Sequence, residues 1–321
     1  MQTPFGNTPN TTAYNTYGAS IGVAQGYVLD RLQGAKMALS VRKLSALYSG
    51  YFARLRRTSD NAELNVSALY GGFMSENAVL ENGQSIGNWL SGAQGVGRTW
   101  FDQSTGVMHA QQTTATNQFP LRTFTANRPA FASFPNQDFF WNYATAINPY
   151  LFGAAKRFTF HIVAKSTVQP SGDYRIFYHL NSNGAFINGF TVTLKGTVQQ
   201  GFDKIHILMG DLVNCTTIST DNSYSTLQPI HIVIRYDGTV NTSWKDRLQV
   251  TVNGVDEPMG YISLAGTFPA NLTQPVTVPR NWAPNSSVMQ SGTSEIIFWD
   301  RLLTNDEVIW LSKNTQKSYG I

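Results

Sequence analysis

Residues 230–258 read IHIVIRYDGTVNTSWKDRLQVTVNGVDEP. Both ends of this stretch are dense in β-branched residues, the composition of strands. Asp237-Gly238 interrupts the first run, and Asn253-Gly254 follows the second. Asn-Gly suits a two-residue hairpin turn, because both central positions need positive φ. The pattern therefore predicts paired antiparallel strands.

The same texture extends outward on both sides. VGRTWFDQ (96–103), RPAFASF (128–134), DFFWNYA (138–144), RFTFHIVAKS (157–166) and YRIFYHL (174–180) precede GFTVTLKG (189–196) and KIHILMG (204–210). SEIIFWDRLL (294–303) comes last. Clusters of Gly, Asn, Asp and Pro separate these short strands, with no helix between them. That order argues an antiparallel sandwich over alternating βαβ units. TNDEVIWLSKNTQ (304–316) predicts a closing helix, with Thr304 as N-cap and Glu307 three residues on, the spacing of a capping box.

Toward the N-terminus the texture changes. AKMALSVRKLSALYS (35–49) places Met37, Val41, Leu44 and Tyr48 on one stripe at spacings of three and four, predicting a helix that stops at Gly50. YFARLRRTS (51–59) alternates as a half-buried strand. Ser75 precedes ENAVLEN (76–82) as the N-cap of a second short helix. Residues 1–34 are rich in Gly, Thr and Asn and lack periodicity. They predict an extended arm anchored by Phe5, Tyr14, Tyr17 and Tyr27, ordering against a neighbouring chain. The expected organisation is this arm (1–34) and one sandwich domain (35–321) with a helical lead-in (35–97).

Composition narrows the function. The 321 residues carry 42% apolar and only 13% charged side chains, with a net charge of +4. This excludes charge-driven disorder and coiled coils. No stretch approaches the roughly 18 apolar residues of a membrane helix. Cys215 is the single cysteine, so an internal disulfide framework and multi-cysteine zinc sites drop out. Seven basic residues against two acidic ones lie in the first 60 positions. A solvated face accounts for them better than nucleic acid, since no RNA-binding motif accompanies them. MQTPFGNTPN lacks the basic and apolar regions of a secretion signal.

Two family resemblances enter here. The 230–258 stretch and SEIIFWDRLLTNDEV (294–308) resemble laminin-G-like, concanavalin A-type domains. There a YDGT turn precedes a strand ending in VNG, and an aromatic-Asp-Arg run closes the fold. This resemblance covers about residues 128–321. Residues 35–125 resemble the opening of the α-L-arabinofuranosidase B catalytic domain, through Arg42, Leu44, Tyr48, Gly50, Arg56, Arg57, Ser59 and Asp60. Phe101, Asp102, Gln103, Ser104, Gly106 and His109 then match its YDQSGxGxH run. Similar openings occur in bacteriophage virion proteins. Together they imply a mainly β, concanavalin A-like jelly roll with a few short helices, made in the host cytoplasm and carried in the virion.

The resemblance implies fold more than chemistry. Glycoside hydrolysis ordinarily needs two carboxylates at controlled separation. The family's nucleophile is a mid-chain Glu, yet this chain has none between Glu81 and Glu257. Asp173 alone lies just ahead of the corresponding region. The family's acid is an Asp before the closing strands, where RNWAPNSSVMQSGTSE (280–295) has none. Arg56, Asp60, Asp102 and His109 are therefore expected to form a polar network pinning the N-terminal helix, with no catalytic residues. His161, His179, His206 and His231 fall inside expected strands, with His161 and His231 suited to adjacent ones. Neither a metal nor a cofactor is expected. Trp244 and Trp282 in loops, with Trp141 and Tyr143, are candidates to stack on sugar. The expected partners are other virion proteins, copies of this chain and host surface glycan, without nucleic acid or membrane.

Overall fold

A computed structural model describes residues 26–125, 128–133, 141–143, 156–166, 173–180, 189–195, 204–210, 215–224, 229–240, 247–263, 277–278 and 291–321. In chain order its elements begin with α1 (Val28–Arg31), β1 (Ala35–Ser40), β2 (Tyr51–Arg57), β3 (Glu63–Ser67), α2 (Ile86–Leu90) and β4 (Gly95–Trp100). Then come β5 (Ala110–Gln111), β6 (Phe119–Thr125), β7 (Arg128–Ser133), β8 (Trp141–Tyr143), β9 (Arg157–Ser166) and β10 (Asp173–Leu180). The rest are β11 (Gly189–Lys195), β12 (Lys204–Gly210), β13 (Cys215–Thr220), β14 (Ile230–Asp237), β15 (Leu248–Val252), β16 (Val255–Glu257), β17 (Met259–Ser263), β18 (Thr277–Val278), β19 (Ser291–Trp299) and α3 (Asn305–Tyr319).

Every strand pairing is antiparallel, and two layers result. In sheet one β19 pairs on one side with β7 and β1 and on the other with β9, followed by β14, β15 and β16. Sheet two runs β3-β2-β4-β5-β8-β18-β10-β11-β12-β13-β17. β6 turns the corner, pairing with β7 in one sheet and β4 in the other. The fold is a mainly β antiparallel sandwich, as the strand pattern predicted.

Period-two alternation sends one side of each strand into a shared core. Phe158, Phe160, Ile162, Ile232, Ile234, Ile296 and Phe298 of sheet one meet Ala53, Leu55, Trp100, Ala110, Val192, Ile205, Ile207 and Ile218 of sheet two. Full burial of one such large side chain contributes about 1.5–3 kcal/mol. A second core lies on the outer face of sheet one. There Val233, Ile297 and Trp299 are covered by Val28 and Leu32 of the α1 segment and by Leu303, Val308 and Leu311 of the α3 segment. The Asn253-Gly254 turn has φ of 50° and 85° and closes the hairpin where Val252 pairs with Val255. Thr304 caps α3 in a reciprocal capping box with Glu307.

The lead-in differs from expectation. Residues 35–40 form strand β1 instead of the start of a helix over 35–49. Met37, Leu39 and Val41 face the main core while Ala38 sits in the second one, so both sides are buried. β1 pairs with β19, Ala38 opposite Ile297, and that pairing outweighs local helix propensity. No helix spans 76–82 either: the backbone of Val79 and Glu81 bonds to Ser67 and Asn65 of β3. Ser85, not Ser75, is the N-cap, accepting from Asn88 N at 3.2 Å to start α2. Within the expected arm, Val28 and Leu32 pack into the second core and Trp299 Nε1 donates to Leu32 O at 3.0 Å.

Candidate functional site

Backbone register aligns a row of mostly polar residue types across sheet two. It pairs Asn65 with Arg54, Arg54 with Thr99, Thr99 with Gln111 and Gln111 with Asn142. Asn142 then pairs with Thr277, Thr277 with Tyr178 and Tyr178 with Thr191. Leu208, Thr217 and Ser263 complete the row across eleven strands, and Leu208 is its one residue without a polar side chain. The adjacent row, Val66–Ala53–Trp100–Ala110–Tyr143, has four of its members in the main core. Opposed residues of an antiparallel pair share a face. Backbone register sets Asn142 opposite Gln111 and Tyr143 opposite Ala110, with Trp141 at the start of the same strand.

Charge around this row is internally paired. Glu63, beside Asn65, receives Arg54 Nε at 2.8 Å and also Arg98. Arg56 donates to Gln118 Oε1 at 2.6 Å, Asn61 Oδ1 at 2.7 Å and Ala115 O at 3.0 Å. Asp60 takes Arg57 instead, at 2.9 and 2.5 Å, and the hydrogen bonds from Arg57 hold its carboxyl down at about 2. Arg56 and Asp60 are therefore bonded to different partners.

Asp102 and His109 do meet. Asp102 is buried and accepts from Ala38 N at 2.8 Å, Ser104 N at 2.9 Å and Ser104 Oγ at 2.6 Å through Oδ1. Its Oδ2 takes Thr105 Oγ1, Val107 N and Met108 N at 3.3, 3.3 and 3.1 Å. His109 Nδ1 accepts from Asp102 N at 3.0 Å, and burial lowers the imidazole pKa. The Asp102 carboxylate thus organises its own loop and ties it to β1. With six donors converging on it, it performs a structural task.

The remaining candidates are scattered. Phe5, Tyr14, Tyr17, Trp244 and Trp282 lie outside the described residues. Tyr27 is half-buried immediately before α1. His161, His179, His206 and His231 fall on β9, β10, β12 and β14, and β9 pairs with β14. Among the described residues no group of three His, Cys, Asp or Glu side chains is arranged to hold a metal, and no helix is long and apolar enough to cross a membrane.

The other glutamates are also engaged. Glu81 Oε2 accepts from Asn65 Nδ2 at 2.9 Å, Glu257 from Asn222 N at 2.8 Å, and Glu307 pairs with Arg301 at 2.8 Å. Glu295 is buried against Arg42 at 2.7 Å, on the far side of sheet one. Glu76 is exposed. Sequence inspection missed the polar row because its members come from eleven strands scattered through the chain; only register brings them together. It also missed Arg42–Glu295, whose two residues are 253 positions apart.

No protein-family model matches the chain, and no curated protein matches it by sequence. Solved structures do. An α-L-arabinofuranosidase of glycoside hydrolase family 54, mutated and soaked with 4-nitrophenyl α-L-arabinofuranoside, superposes with a TM-score of 0.58 at 14% identity, covering 91% of this chain. An arabinofuranosidase complexed with arabinofuranosyl-α-1,2-xylobiose superposes at 0.56 and 12% identity, covering 94%. The chain spans 64% of the length of each. A looser likeness, TM-score 0.46 at 14% identity, is to the binding domain of Paraclostridial Mosquitocidal Protein 1, covering 67% of this chain and 49% of that one. At these identities the likeness is one of fold: the chain has a β-sandwich like that of the two arabinofuranosidases.

Proposed function

We propose that this chain is a non-catalytic structural protein of a bacteriophage particle, serving in capsid decoration, a head fibre, or the tail or baseplate. One observation carries the non-catalytic part. Glu63, on the outer face of sheet two, is held by Arg54 and Arg98, and Glu81 beside the same strand accepts from Asn65 N and Nδ2. Hydrolysis needs an acid and a base or nucleophile free to face one sugar, and among the described residues both of these carboxylates are already engaged. The virion assignment is supported by the resemblance of residues 35–125 to phage virion proteins. Incubation with aryl arabinofuranoside and arabinan should release nothing above buffer. Electron microscopy of particles should show many ordered copies on the shell or tail. Turnover abolished by a single carboxylate-to-amide substitution, or particles without the chain, would overturn the proposal.

A carbohydrate-binding adhesion role is the second reading, favoured by the polar row. Amide side chains suit sugar hydroxyls, and among the described side chains of the row Asn65 is half-buried while Arg54 and Gln111 are exposed. Binding on a glycan array that weakens with Gln111→Ala at unchanged melting temperature would support it; no response across the array would remove it.

A further inference from the structure

Beneath α3 the outer face of sheet one is charged. Glu295 takes Arg42 on both oxygens, Nε at 2.7 Å and Nη2 at 2.9 Å. Its Oε2 also accepts from Ser40 Oγ at 2.8 Å and the Tyr319 hydroxyl at 3.1 Å. Arg42 Nη1 donates to Asn314 Oδ1 and Ser318 Oγ of α3, both at 2.7 Å. His161 on β9 stands 3.2 Å from Glu295 Oε1, near enough for an ion pair but out of line for a good hydrogen bond. The His231 ring lies 5.6 Å from that of His161 and has no hydrogen-bond partner at either nitrogen among the described residues. Both imidazoles are fully buried.

α3 is docked through this polar cluster as well as through the second core. Of its buried residues, Val308, Leu311 and Tyr319 are apolar or aromatic, whereas Ser312, Asn314, Thr315 and Ser318 are polar. The core between the two sheets, by contrast, is filled by large apolar side chains, Trp100, Phe158, Phe160 and Phe298 among them.

We propose that Arg42, Glu295, His161 and His231 form an acid-operated latch: in acid the C-terminal helix undocks from sheet one while the two-sheet core stays folded. The reason is where protons are taken up. Burial first, then repulsion by His161 and Arg42, hold the docked His231 imidazole down at about 3. Burial alone would raise the Glu295 pKa, but Arg42 beside it holds the carboxyl well below the usual range. Once α3 leaves, water reaches both groups, and a solvated imidazole titrates near 6.5. Between about pH 6.5 and 3 the undocked state therefore binds more protons, and lowering pH favours it. Glu295 adds to this below about pH 4, where a solvated carboxyl begins to protonate. From β1 and its end the groups facing the cluster are Ser40 and Arg42; from α3 they are Asn314, Ser318 and Tyr319, whose phenol burial holds neutral. Lys313 and Lys317 lie on the exposed side of α3, and Arg235, farther along β14, bonds to Leu303 O and Asn305.

Hydrogen exchange on the full chain tests this. After correction for the intrinsic pH dependence, protection of residues 305–319 should fall up to about 100-fold from pH 7 to 4.5, one decade per unit below 6.5 for one imidazole. Amides of β9 and β14 should keep theirs. His231→Phe, alone or with His161→Phe, retains ring volume without a proton site, and should hold α3 protection within about threefold over that range. Protection of α3 that ignores pH in the unmutated chain would overturn the latch. So would loss of protection in α3, β9 and β14 together, or an unchanged pH response in a folded His231→Phe variant.

Discussion

At the scale of single residues, burial decides what a charge is worth. Arg42 and Glu295 are both removed from water and bonded to one another and to Ser40, Asn314, Ser318 and Tyr319. Taking away one partner leaves the other as an uncompensated buried charge, which costs about 3–5 kcal/mol. Arg42→Met should therefore lower the urea-unfolding free energy by that amount. Arg57 and Asp60 form an equally short pair at the surface, where water screens it. Asp60→Asn, which breaks the pair from its exposed side, should leave the urea midpoint almost unmoved. Asp102 presents a third case, one carboxylate serving six donors from its own loop and β1. Asp102→Ala strands buried N–H groups at about 1–3 kcal/mol each, so a loss of at least about 3 kcal/mol is expected in the same assay.

At the scale of elements, local signals held where they needed no partner. The α3 start was legible because a capping box is written within four residues. Thr304→Ala should cost about 1 kcal/mol in thermal unfolding. The Asn253-Gly254 turn was legible for the same reason, since positive φ at both positions restricts the residues allowed. An added Cβ at Gly254 would stand 3.4 Å from Ser312 Cβ. With the strain of positive φ, Gly254→Ala should cost about 1–2 kcal/mol, read from the same melts. β1 was misread because Met37 and Val41 fit a helical stripe and a strand face equally well. Only the vacant edge of β19 resolves that ambiguity, by supplying a ladder.

At the scale of the whole molecule, the N-terminal segment divides differently from its composition. Residues 26–34 belong to the folded body through Val28 and Leu32, which confines the proposed assembly arm to the residues before Gly26. Removing residues 1–25 should leave the melting temperature unchanged and abolish incorporation into particles. Extending the deletion through residue 34 removes two buried aliphatics and should cost a further 3–6 kcal/mol, at about 1.5–3 kcal/mol each. Normal incorporation of the shorter truncation would rule out an assembly arm.

The sequence by itself determined the sandwich class, the positions of most strands, the closing helix and its cap, and the tight turn at 253–254. These follow from periodicity, β-branched composition and turn chemistry, which act over a few residues. Tertiary structure alone decided that 35–40 is a strand, that Asp102 ties its loop to β1, and that Arg42 meets Glu295. It also assembled the polar row from Asn65 to Ser263. Each of these depends on which strands become neighbours, and strand pairing joins residues tens to hundreds of positions apart that carry no mark of one another in the local sequence.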